Sequence, residues 1–121
     1  MNRIKVSKNF SLHEFQCTGS GQEHNHVMLD ETLLAKLQEL RDRINLPIIV
    51  NSAFRCPVRN RQVGGASKSQ HLYGTAVDIR VNGMTPRQLA QHAEAIGFGG
   101  IGVYRTFVHV DVRDGKVRWN G

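Results

Sequence analysis

Two cysteines, Cys17 and Cys56, are all the thiol chemistry this sequence holds, and neither sits in a C-x-x-C pair. That argues against a zinc knuckle or a dithiol redox motif, and the fold cannot depend on sulfur. The two thiols are either idle or joined in one disulfide. No apolar run approaches the length of a membrane span. The first residues carry Arg3, Lys5 and Lys8 with no apolar stretch behind them, so no secretory signal is legible there. Cytoplasmic synthesis is the expectation. Internal repeats, low-complexity tracts and linkers are also missing. Aromatic residues make up only 7% of the chain, and they form no RNP-like pattern. No helix-turn-helix arrangement is legible either, so binding to nucleic acid is not expected.

What is present suits one globular domain over residues 1–121, with 40% apolar and 21% charged residues. A chain of that size buries roughly two-thirds of the surface its unfolded form exposes. The net charge of +6 favours an anionic partner, whether nucleic acid, a membrane surface or a cell-wall polymer. The basic residues are scattered, so charge alone selects none of these.

Local signals divide the chain into helices early and strands late. Ser11-Leu12-His13-Glu14 fits a capping box that opens a short helix. Cys17 to Met28 reads as a loop. Asp30 caps a helix through Ile44, with Leu33, Leu34, Leu37, Leu40 and Ile44 on one face. A strand from Ile48 to Phe54 follows, then a short helix from Pro57 to Val63 ended by Gly64-Gly65. Val77, Ile79 and Val81 alternate with Ala76, Asp78 and Arg80 at strand spacing. Thr85-Pro86 opens a helix to about Ile96, with Gly97 at its end. Strands are expected at Gly100 to Tyr104, Thr106 to Arg113 and Lys116 to Trp119, the last two joined by an Asp114-Gly115 hairpin turn. The pattern predicts an α+β fold, with a small, mostly antiparallel sheet and helices packed on one side.

The chemistry-bearing stretch is Ser69-Gln70-His71-Leu72-Tyr73-Gly74-Thr75-Ala76-Val77-Asp78. A catalytic zinc site takes three protein ligands and leaves a position for water, and His71 and Asp78 suit two of them. On spacing alone Asp78 could equally face solvent. The third candidate is His109, in Val108-His109-Val110-Asp111. Alternation puts Phe107, His109, Asp111 and Arg113 on one face of that strand, which reads as a site or as an exposed polar edge.

The segment Ser69-x-His71-x-x-Gly74-x-Ala76-x-Asp78, followed by Val108-His109-Val110-Asp111, resembles the zinc D-alanyl-D-alanine carboxypeptidase family. That family's relatives include phage L-alanyl-D-glutamate endopeptidases and the hedgehog signalling domain. Ser52-Ala53-Phe54-Arg55-Cys56-Pro57 is similar to its arginine-bearing segment. Asn9-Phe10-Ser11-Leu12-x-Glu14-Phe15 resembles the opening of its short, single-domain branch. The resemblance implies a hedgehog/D-Ala-D-Ala carboxypeptidase-like fold and zinc held by His71, Asp78 and His109. It also implies a substrate or transition-state role for Arg55 and a place near the substrate for Ser69. The expected activity is hydrolysis of a peptide bond in peptidoglycan stem or cross-link peptides, by a monomer.

One departure stands out. The family carries an acidic general base shortly before its last histidine ligand, yet Val103 to Val108 holds no acid and Thr106 stands where one is expected. Asp111 is the nearest carboxylate, and the base role falls to it. Otherwise the protein binds zinc without efficient turnover, as a cell-wall or protein-binding module. His24, His26, His13 and His92 read as loop or surface residues, and Trp119 as core or hairpin packing. A phage or prophage product that reaches the wall on release fits the lack of a leader.

Overall fold

A computed structural model describes residues 5–15, 29–53 and 74–121. Two short strands, β1 (Lys5–Ser7) and β2 (Phe10–Ser11), pair antiparallel and lead into a 3-10 helix, Leu12–Phe15. The Ser11 backbone N–H donates to Glu14 Oε2 at 2.6 Å, half of the expected capping box. Helix α1 (Glu31–Ile44) begins where Asp30 accepts from the Leu33 N–H and ends in a left-handed Asn45. Gln38 of α1 bonds Ser7 and Asn9, which ties the β1–β2 ribbon to the helix.

Five strands form the main sheet: β3 (Ile49–Ser52), β4 (Ala76–Arg80), β5 (Gly100–Val103), β6 (Val108–Asp111) and β7 (Val117–Asn120). Their spatial order is β3-β4-β6-β5-β7. Helix α2 (Pro86–Ile96) lies between β4 and β5 in sequence. It opens with a full capping box between Thr85 and Gln88 and closes on Gly97. The sheet is antiparallel except at its last pair, where β7 runs parallel to β5.

Period-two alternation divides the sheet. Val77, Ile79, Ile101, Val108 and Val110 face one side and are buried in one core with Leu33, Leu37 and Leu40 of α1 and Leu89 and Ala93 of α2. The opposite side carries Asp78, Arg80, His109 and Asp111. A sheet covered by helices on one face leaves its other face for chemistry.

Two expectations need correcting. Asp114-Gly115 does not make a hairpin, because β6 already has β4 on one side and β5 on the other. No edge of β6 remains to pair, so the chain passes β5 and adds to its free edge. The strand expected over Thr106 to Arg113 is also shorter, because 104–107 form the β5–β6 turn, closed by Tyr104 N–H to Phe107 O at 2.9 Å. The short helix expected over 57–63 lies outside the described residues.

Candidate metal centre

Strands β4 and β6 pair with Asp78 directly opposite His109. Since directly paired residues project to the same face of a sheet, this register brings two polar side chains together across 31 residues of sequence. Asp78 Oδ1 lies 3.1 Å from His109 Nδ1, and the two side chains are only 16% and 10% exposed. On its other edge, His109 Nε2 lies 2.8 Å from Asp111 Oδ2.

Asp111 is fully buried. An ionised carboxylate in that position is costly unless its oxygens are occupied. Arg113 occupies them. Its Nε is 2.9 Å from Oδ1 and 3.0 Å from Oδ2, its Nη2 is 2.7 Å from Oδ2, and its backbone N–H donates to Oδ1 at 3.1 Å. Burial alone would raise the Asp111 carboxyl, but hydrogen bonds from His109 and Arg113 outweigh it and hold the group far below the usual carboxylate range. Burial would likewise lower His109, and the hydrogen bonds and charges of Asp111 and Asp78 reverse that and raise it.

The proton inventory bears on this pair. An ionised carboxylate only accepts, so the His109–Asp111 contact places a proton on Nε2. A neutral ring then points the Nδ1 lone pair at an Asp78 oxygen. Two lone pairs at 3.1 Å repel unless a cation lies between them. In the metal-free chain a second proton can fill that place, consistent with the raised His109. A metal ion is the alternative. Zinc bonds of about 2.0–2.1 Å to nitrogen and oxygen at a tetrahedral angle hold the two donors roughly 3.3 Å apart, close to the spacing found. The pair fits such an ion.

Strand β5 contributes by having no side chains on this face. Gly100 is opposite Asp111 and Gly102 opposite His109. A Cβ at Gly100 would overlap the Asp111 carboxylate, and one at Gly102 would overlap the Trp119 indole. Across that gap Trp119 of β7 reaches the site, its ring 5.1 Å from His109 and inclined at 48°. The Arg113 guanidinium lies 5.3 Å from the same ring, and the indole N–H donates to the Tyr104 hydroxyl at 2.9 Å.

Of the residues singled out from the sequence, Asp78, His109 and Asp111 are gathered on one face, while Arg55, Ser69 and His71 lie outside the described residues. Among the described residues no group of three or more His, Cys, Asp or Glu side chains is arranged to hold a metal ion by itself. The alternative reading of Asp111, a salt bridge to an arginine such as Arg113 or Arg118, is met by Arg113, whereas Trp119 as a wall of the site was not expected. The spaced pair Gly100 and Gly102 is the signal that could have pointed to Trp119, since it leaves the strand face bare. A cavity of about 280 Å³ lined by Arg80, Met84, Leu89 and Phe107, among others, includes none of the gathered residues. Among the described residues no helix is long and apolar enough to cross a membrane.

The peptidase M15 family model matches residues 8–111. The chain is 38% identical over 87 residues to the zinc D-Ala-D-Ala carboxypeptidase of Streptomyces albus G, covering 67% of this chain and 34% of that protein. It is 40% identical over 74 residues to a probable peptidoglycan L,D-endopeptidase, MepK, of Haemophilus influenzae, covering 58% of this chain and 39% of that protein. The chain thus matches little more than a third of the length of these curated relatives.

Proposed function

The chain belongs to the peptidase M15 family, and on that premise we propose that it is a zinc-dependent peptidase acting on the stem or cross-link peptides of peptidoglycan, as a carboxypeptidase or endopeptidase. One observation carries the zinc reading: His109 Nδ1 faces Asp78 Oδ1 at 3.1 Å with the other ring proton committed to Asp111. The names of both relatives support the substrate class, and that of the Streptomyces relative supports zinc.

In this reading His71, Asp78 and His109 hold the ion. When bound, zinc supplies a water acidified to near neutrality and a polarised scissile carbonyl. Arg55 meets a substrate carboxylate or the charge that develops at the cut bond, by a paired hydrogen bond. Ser69 lies against the substrate. The residues around Asp111 bear on the base role. Its oxygens are taken by His109 and Arg113 and it has no exposure, so the geometry favours orienting His109 over accepting a proton from water. Thr106 sits exposed in the β5–β6 turn and brings no acid. That observation keeps a second reading, a zinc-bound module that holds wall peptides without turnover.

Metal analysis tests the ligand set. The protein should hold about one zinc, and His71→Ala, Asp78→Ala and His109→Ala should each lose most of it, since an incomplete ligand set binds poorly. Full zinc in all three variants would overturn the assignment. Mass spectrometry of digested muropeptides then separates the two readings: new cleavage products support the peptidase, and none from zinc-loaded protein leaves the binding module.

A further inference from the structure

The matched family residues end at 111, yet Trp119, which packs against His109, and Arg113, which grips its partner Asp111, come from beyond that point. We propose that Arg113 and Trp119 are positioning residues of the metal centre, which set zinc affinity by fixing the orientation of His109. The inference rests on the reading that His109 holds zinc, and it assigns work to a strand that the ligand motif does not include.

Three contacts restrain the imidazole. Asp111 accepts from Nε2 at 2.8 Å, so rotation about the Cβ–Cγ bond would break a buried hydrogen bond. Arg113 grips both oxygens of Asp111, so the carboxylate cannot turn away from the ring. Trp119 lies 5.1 Å from the imidazole and 5.3 Å from the Arg113 guanidinium, so one indole packs against ligand and anchor together. The indole is itself fixed by its bond to the Tyr104 hydroxyl at 2.9 Å. This chain of contacts crosses β5 only because Gly102 has no Cβ to collide with the indole. The parallel pairing of β7 with β5, with Trp119 beside Gly102, puts the ring over that gap. With Nε2 fixed on Asp111, Nδ1 is held toward Asp78. Outer groups of this kind typically alter metal affinity about 10- to 100-fold by orienting the ligand and raising its basicity.

Zinc affinity measured by competition with a chromophoric chelator tests the proposal, alongside thermal unfolding of each metal-free variant. Trp119→Ala and Arg113→Lys should each weaken zinc by about tenfold or more, while Trp119→Phe, which keeps a ring, should recover most of the loss. The paired change Asp111→Asn with Arg113→Gln removes the buried carboxylate and its partner charge together. It therefore serves if Arg113→Lys fails to fold, and should weaken zinc similarly. In the zinc-loaded wild type, nitrogen NMR should find His109 bound through Nδ1 with a slowly exchanging Nε2 proton. That proton should exchange faster in Trp119→Ala. Trp119 is the only tryptophan, so its emission should change when zinc is added to wild type and stay constant in His109→Ala. Folded variants that bind zinc within twofold of wild type, with the Nε2 proton equally protected, would overturn the inference and leave the ligand assignment intact. A wild type that binds no zinc, or a His109→Ala variant that binds it fully, would overturn the ligand assignment itself.

Discussion

Asp111 and His109 pull the metal-free protein's pH response in opposite directions. The Asp111 carboxyl is lowered in the fold, so its contribution is present above the unfolded value of about 3.9 and is lost as pH falls below it. His109 is raised, so its contribution is complete below about 6.5 and is lost as pH climbs through the higher folded value. Urea unfolding of the chelated protein should therefore find greatest stability between roughly pH 4 and 6.5. Zinc should move that maximum upward, because metal replaces the Nδ1 proton. A profile that keeps rising to pH 9 without metal would contradict the pairing of His109 with two carboxylates. Alternation was enough to place His109, Asp111 and Arg113 on one strand face from the sequence. It could not say whether the Asp111 carboxylate turns toward the ring or toward water, since a period of two fixes a face and leaves the rotamer open. That is why the sequence could offer Asp111 as a base, while the structure adds that its oxygens are bonded by His109 and Arg113.

At the scale of elements, signals carried within a few residues were legible and those set by distant partners were not. Asp30, Thr85 and Gly97 mark bounds of α1 and α2 because a cap is satisfied by its own helix. Thr85→Ala should cost about 1 kcal/mol in chemical denaturation. Leu37→Ala, which empties a fully buried position on α1, should cost roughly 2–5 kcal/mol. A Leu37 variant as stable as wild type would mean that α1 is not part of the core. The partner of β7 was misread for a non-local reason. A turn followed by an alternating segment signals a strand, but which edge receives it depends on which edges are still open. The β1–β2 ribbon escaped for a similar reason, since strands of three and two residues carry too short a pattern to stand out.

On the whole molecule, the helices cover one sheet face and the polar group of Asp78, His109 and Asp111 occupies the other, so core and chemistry share the same strands and alternate along them. The fold class was legible because that alternation is periodic. The ligand assignment also needed the resemblance, since Asp78 on spacing alone suited solvent as well. On the proposed wall-peptide reading, the net charge of +6 should speed encounter with an anionic wall polymer at low ionic strength, and salt should screen it as the Debye length shortens to about 8 Å at 0.15 M. Binding to purified sacculi should therefore weaken steadily between 0.02 and 0.5 M salt (roughly a Debye length of 20 Å down to 4 Å), while zinc content stays constant. Salt-independent binding would leave the positive charge without a part in substrate capture.

The opposition of Asp78 and His109 makes the centre a proofreader of the sheet. A slip of one residue between β4 and β6 would put Val77 or Ile79 opposite His109, and a shift of that size turns every side chain of a strand to the other face. A chain zipped one notch out therefore presents only half a claw to the ion. On the proposed zinc reading, metal would lodge only where the zip is true, and would then rivet β4 and β6 against creeping past each other.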